Sequence, residues 1–318
     1  MDPVVALNNS PYYYFKPRMM RSIGASVPRT MHILSKVADM LEQVEGMVPH
    51  RFVPGIQLGV ESGPAICSSS GAVRIRDFFS DRGVVPIVHV PDYIVPGTYL
   101  THGFSNRILS LLKGPFDYDI RDFEKEVVRY IDAAQALECD TMVMHLPNGT
   151  DEDIAGTCEY LTGAVCEHAR SLGIHIALEN CNNSGSPFFG DLQNVFGVVD
   201  SLDSPYGFCF DYGHYLVDRD AHDIESLHRA AESASVHHVH INDCLGDRHL
   251  FLGERPEGID ERILERNEKV YVEDVLSRID SAGKTFVLER NKSYSSAQLA
   301  GAVTRLLDVL GQRAQARR

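Results

Sequence analysis

The sequence contains no apolar stretch that approaches the roughly 20 residues needed to cross a bilayer, so we expect neither a membrane-spanning helix nor a membrane partner. It also lacks a surplus of basic residues. Against 30 Lys and Arg stand 44 Asp and Glu, which gives a formal net charge of −14. This balance excludes a protein whose main task is to coat DNA or an acidic membrane, although a small, locally positive site remains compatible with it.

The seven cysteines lack the CxxC spacing of redox and metal motifs. They indicate reduced thiols, most of them buried as small hydrophobic side chains. The first ten residues contain no basic segment followed by an apolar run, so no secretory signal is predicted. Together these observations predict a cytoplasmic protein.

Short apolar runs alternate with longer segments of helical periodicity, such as Asp119–Leu137 and Asp151–Gly173. Near-continuous apolar runs are typical of parallel strands buried on both faces. We predict eight strands, at Ser22–Val27, Gly55–Val60, Val85–Val90, Thr141–Leu146, Ile174–Asn180, Gly207–Asp211, Val236–Asn242 and Lys284–Arg290.

Eight strand-then-helix units without a Pro/Ser-rich linker predict a single (β/α)8 TIM barrel over residues 21–318, after an N-terminal extension over residues 1–20. A doubly wound open sheet is the alternative. No GxGxxG follows the first predicted strand and no GxxxxGK[ST] occurs, so the motifs typical of that alternative are missing.

Polar residues follow the predicted strands at their carboxyl ends, where the chemistry of a barrel is built. An unpaired charge would be costly to bury there, and several carboxylates converging on one mouth would repel unless cations lay between them. Histidine with carboxylate is the usual ligand set for Zn²⁺ or Mn²⁺. The candidate metal ligands are His89, His145, Glu179, Asp211, His214, His240, Asp247, His249 and Glu289.

These residues lie in motifs that resemble the endonuclease IV branch (AP endonuclease family 2) of the xylose isomerase-like TIM barrels. The resemblance runs from about residue 22 to about residue 310. The motifs are HVPDYIV, MHLPNG, LEN, FDYGH, HIND, GDRHLFLGE and LER.

The resemblance implies three Zn²⁺ ions, two of them bridged by Glu179. It assigns the other ligands to three groups: Asp211, His240 and Glu289; His89 and His145; and His214, Asp247 and His249. Sugar isomerases and epimerases of the same superfamily resemble the chain only at Glu179, Asp211, His240 and Glu289. There the four residues hold a single Mn²⁺, Co²⁺ or Mg²⁺, and the two glutamates also move protons.

Three functions are therefore compatible with the sequence. The first is a phosphoester hydrolase with Glu179 orienting or deprotonating the nucleophile. It would act on a small phosphorylated molecule, or, as a weaker option given the net acidity, on abasic DNA. The second is a sugar or sugar-phosphate isomerase or epimerase with Glu179 and Glu289 as its catalytic acid/base pair. The third is a barrel that uses bound ions to hold a substrate for other chemistry.

Overall fold

The structure is a computed structural model. It describes residues 2–8, 26–59, 62–90, 120–146, 158, 161–180, 191–202, 204–216, 223–241, 243–245, 248–251, 254, 275–289 and 294–316. Among the helices in these ranges, none has the length and apolar character that a bilayer crossing requires.

Eight parallel strands close into a barrel. The barrel strands are β1 (Val4–Asn8), β2 (Val53–Leu58), β3 (Val85–His89), β4 (Thr141–His145), β5 (His175–Glu179), β6 (Tyr206–Asp211), β7 (Val236–Ile241) and β10 (Thr285–Leu288). Their order around the barrel is β1-β10-β7-β6-β5-β4-β3-β2. The predicted barrel is therefore confirmed, and the open-sheet alternative is wrong.

Seven of the eight predicted strands coincide with these. Of the first predicted strand, Ser22–Val27, residues 22–25 lie outside the described residues, and the described strands close the barrel without it. Val27 begins a helix, with Ser26 at its N-cap and Pro28 in its first turn, a combination that starts helices. The first strand is instead Val4–Asn8, which pairs in parallel with both β2 and β10. Residues 4–8 therefore belong to the barrel and not to an N-terminal extension.

Helices follow most of the strands and cover the outside of the barrel. Helix α1 (Val27–Glu45) buries one stripe, from Ile33 through Val37 and Leu41 to Val44, at intervals of three and four residues. The predicted helix over 119–137 is confirmed as α4 (Ile120–Ala136). The helices are α1 (Val27–Glu45), α2 (Gly63–Ile66), α3 (Ser69–Arg82), α4 (Ile120–Ala136), α5 (Ala164–Leu172), α6 (Leu192–Ser201), α7 (Tyr212–Leu216), α8 (Ile224–Glu232) and α9 (Ser296–Ala316).

The buried apolar residues form two groups. The larger group fills the space between the strands and the helices. The smaller group lies inside the barrel and consists of Ala6, Ile87, Val143, Ala177, Cys209 and Val287, one from each of six strands. Because side chains alternate along a strand, the residues two positions later also point inward, one layer closer to the carboxyl ends.

After β7 the chain forms a short antiparallel hairpin of β8 (Asp243–Leu245) and β9 (Arg248–Leu250). Strand β8 contacts α7, the helix that directly follows β6. The hairpin therefore lies beside the carboxyl ends of β6 and β7.

Candidate metal centre

Six predicted site residues lie at the carboxyl ends of the barrel strands. Five of them stand two positions after a residue of the inner apolar group, and the sixth, His240, follows the inward-facing His238 in the same way. All six are buried. They are His89, His145, Glu179, Asp211, His240 and Glu289.

Glu179 lies at the centre of this set, in contact with four imidazoles. Its Oε2 is 2.9 Å from Nε2 of His89 and 3.4 Å from Nε2 of His145. Its Oε1 is 3.1 Å from Nδ1 of His240 and 3.3 Å from Nδ1 of His214. One carboxylate thus connects residues from four different parts of the chain.

These contacts decide the charge of Glu179. Burial by itself would raise the pKa of the carboxyl group. The positive charges of His145 and His240, together with hydrogen bonds from His214 and His240, instead hold the pKa well below its usual range. Glu179 is therefore ionised at neutral pH.

His240 is surrounded by carboxylates. Its Nδ1 lies 3.1 Å from Oε1 of Glu179, 3.6 Å from Oδ2 of Asp211 and 3.5 Å from Oε1 of Glu289. Burial alone would lower the pKa of His240, but the charges of Glu179 and Glu289 raise it well above its ordinary value. Three negative charges therefore converge on one nitrogen inside the barrel mouth.

His214 reaches the same place from α7. Its backbone N–H donates to Oδ1 of Asp211 at 2.6 Å, and its Nδ1 donates to the carbonyl oxygen of Asn180 at 3.0 Å. Burial would lower the pKa of His214, but the charges of Asp211 and Glu179 raise it to about 10. Its position depends on the short turn of helix that begins directly after Asp211.

Asn180 holds the end of β5 to the end of β6. Its Nδ2 donates to the carbonyl oxygen of Asp211 at 2.7 Å, and its Oδ1 accepts from the N–H of Asp211 at 2.8 Å. The side-chain amide thus continues the strand pairing beyond the last residue of β5. This pair of bonds fixes the backbone that carries Asp211.

Asn8 and Gln57 also belong to the site, and sequence reasoning missed both. They donate hydrogen bonds to Oε1 of Glu289, at 3.2 Å from Asn8 and 2.9 Å from Gln57. A polar residue at the end of the apolar run VVALN, and another inside GIQL, were the signals available in the sequence.

The side chains of two members of the predicted set are not described by the structure. Asp247 lies outside the described residues. His249 lies in β9, opposite Cys244, and its backbone alone is described. Their membership of the site stays a prediction.

The donor set fits a divalent cation. Asp211 Oδ2 is buried, and no hydrogen-bond donor for it occurs in the part of the chain that the structure describes. Histidine nitrogens and carboxylate oxygens are the ligands that Zn²⁺ and Mn²⁺ take in proteins. Three overlapping groups have ligand atoms within 4.8 Å of one another: His89, Glu179 and His240; His145, Glu179 and His214; Asp211, His240 and Glu289.

Other histidines lie away from this cluster. His175 and His237 stack on each other at the opposite ends of their strands, with ring centroids 5.6 Å apart. Because side chains alternate along a strand, His237, three residues before His240, lies on the other face of β7. His238 is buried inside the barrel, in the layer beneath His240.

Comparison with known proteins gives a family and a set of similar folds. The family described as xylose isomerase-like TIM barrel matches residues 99–287. The chain is similar to the structure of an L-ribulose 3-epimerase (TM-score 0.65, 12% identity, 100% of this chain and 97% of that chain). It is also similar to a D-tagatose 3-epimerase-like protein (TM-score 0.62, 16% identity, 98% and 99%). A third similar structure is an IOLI protein with a binding zinc atom (TM-score 0.59, 13% identity, 97% and 98%). No curated protein matches the sequence.

Proposed function

The chain belongs to the xylose isomerase-like TIM barrel family, and from this premise we propose that it is a metal-dependent sugar isomerase or epimerase. The proposed ligands of a single divalent cation are Glu179, Asp211, His240 and Glu289. The epimerases among the structures of similar fold support this function over the phosphoester hydrolase that the endonuclease IV-like motifs favour.

The proposal rests on the carboxylates that surround His240. Nδ1 of His240 lies within 3.6 Å of carboxylate oxygens from Glu179, Asp211 and Glu289, each held by a different strand. A cation near this point would have one imidazole and three carboxylates as its candidate ligands. The ligand atoms of Asp211, His240 and Glu289 already lie within 4.8 Å of one another. Mn²⁺, Co²⁺, Mg²⁺ and Zn²⁺ are all compatible with such a set.

When bound, a divalent cation would polarise the carbonyl and the neighbouring hydroxyl of a keto sugar. Glu179, ionised at neutral pH, would take a proton from the carbon beside the carbonyl. Glu289, carrying a proton taken from solvent, would donate it either to the other face of that carbon or to the neighbouring one, and would be left as a carboxylate. His89, His145 and His214, on the β3–β6 side of the mouth, would bind sugar hydroxyls.

The test is solvent proton exchange. The Mn²⁺-loaded enzyme is incubated in D2O with D-fructose, D-tagatose or L-ribulose, and deuterium at the exchanging carbon is followed by NMR. We expect incorporation by the wild type and by Glu232→Gln, which changes an exposed carboxylate on α8 that pairs with Arg278. Glu179→Gln should remain folded and lose the exchange. Absence of exchange with every ketose would contradict the proposal.

A second candidate function, the multi-zinc phosphoester hydrolase, is favoured by the three overlapping ligand groups. The group of His145, Glu179 and His214 includes neither Asp211 nor Glu289, so it offers a place for a further ion. Under this function His249→Ala should lower the zinc content by about one ion per chain, and the wild type should release phosphate from phosphate esters. If the protein is instead an isomerase or epimerase with one cation, His249→Ala should leave the metal content unchanged.

A further inference from the structure

We propose that Asn8 and Gln57 are positioning residues that hold Glu289 in the orientation a bound cation requires. This inference rests on the proposed function, because it assumes that Glu289 is a metal ligand. It extends the site to β1 and β2, the two barrel strands that carry none of the predicted ligands.

The strand register brings these two amides together. Asn8 and Gln57 are paired residues of β1 and β2. Ala6 belongs to the inner apolar group, and a Cβ on Gly55 would lie 2.9 Å from the Cβ of Ala6, so both residues face the barrel interior. Asn8 and Gln57 come two positions later and therefore point inward at the level of the mouth.

Both amides bond the same atom of Glu289. Oε1 accepts from Nδ2 of Asn8 at 3.2 Å and from Nε2 of Gln57 at 2.9 Å. That oxygen is also 3.5 Å from Nδ1 of His240. Two donors on one oxygen restrict rotation of the carboxylate and hold it against the other ligands. Because the donors are neutral, they leave the negative charge of Glu289 for the cation.

Packing alone does not explain a glutamine at position 57. The residue is fully buried, and its Oε1 has no hydrogen-bond partner among the described residues. An unpaired buried acceptor destabilises a fold, and a methionine of similar length would avoid that penalty. The feature that methionine could not supply is the N–H that reaches Glu289.

The experiment is a titration with Co²⁺, whose visible absorption reports the ligands around the ion. We compare the wild type, Gln57→Met, Asn8→Ala and Gln193→Met. Gln193 is the matched control, because its Nε2 also makes a side-chain hydrogen bond, to Ser226, on the outside of the barrel. Circular dichroism and thermal unfolding in EDTA verify that each variant folds.

We expect Gln57→Met to bind Co²⁺ about 10- to 100-fold more weakly with an altered spectrum, the range typical of residues that orient metal ligands. Asn8→Ala should also weaken Co²⁺ binding and alter the Co²⁺ spectrum. This variant tests the inference if Gln57→Met does not fold. Gln193→Met should match the wild type.

Wild-type affinity and spectrum in both Gln57→Met and Asn8→Ala would overturn the inference, as would a wild type that binds no Co²⁺. Weakened binding in these variants, combined with no sugar exchange by the wild type, would instead support the positioning role and refute the proposed function.

Discussion

Replacing His238 by leucine should make the metal-free barrel less sensitive to acid. The side chain lies on β7 inside the barrel and is 3% exposed. Burial lowers the pKa of His238 from its ordinary 6.5 to about 3, and the charges of nearby His240 act in the same direction. The folded protein therefore keeps this imidazole neutral where the unfolded chain protonates it.

The different protonation of His238 in the folded and unfolded chains makes the free energy of unfolding depend on pH. Below pH 6.5 the unfolded chain binds a proton at His238, whereas the folded chain binds it only near pH 3. The contribution of neutral His238 to the free energy of unfolding is therefore fully present above pH 6.5 and is lost as the pH falls. Between pH 8 and pH 5 this residue should lower the free energy of unfolding by about 2 kcal/mol, since each pH unit below the unfolded pKa contributes about 1.4 kcal/mol.

The assay is urea unfolding in EDTA at both pH values, for the wild type, His238→Leu and the control His32→Leu, an exposed position on α1. The free energy of unfolding should change between the two pH values by about 2 kcal/mol less in His238→Leu than in the wild type, and the control should match the wild type. If His238→Leu retains the wild-type pH dependence, the imidazole is not kept neutral by burial, and the reasoning is refuted.

Three further substitutions test separate parts of the account. Glu179→Gln should abolish turnover while far-UV circular dichroism stays unchanged, because the catalytic charge is lost and the barrel packing is kept; activity above background would refute its role. Asn180→Ala should lower the free energy of unfolding by about 2–4 kcal/mol in urea unfolding, since two buried backbone groups of Asp211 lose their partners. Gly207→Ala should lower it by about 1–3 kcal/mol, because the added Cβ would lie 2.2 Å from Cδ2 of His237. Unchanged unfolding midpoints would contradict either of the last two expectations.

The barrel and the core of the site could be predicted from the sequence because the signals are local. An apolar strand buried on both faces leaves a run of Val, Ile and Phe, and the first polar residue after it marks the mouth. Glu179, Asp211 and Glu289 follow this pattern. The structure brings these three carboxylates together around one histidine nitrogen of β7.

The parts that the sequence did not reveal depend on contacts between distant segments. The run at Val4–Asn8 is short, and its assignment as a strand requires its pairing with β10, more than 270 residues away. Gln57 interrupts an apolar run, but its partner Glu289 is 232 positions further along the chain. A pattern within one segment carries no information about such partners.

The proposed function depends on one divalent cation held by Glu179, Asp211, His240 and Glu289. The most direct measurement is a crystal structure with Mn²⁺, with anomalous differences collected near the manganese edge. We expect a strong peak at about 2.0–2.3 Å from a ligand atom of each of these four residues, as is usual for such ligands. A crystal grown in saturating Mn²⁺ with no peak at the barrel mouth, or with its peaks away from these four side chains, would contradict it.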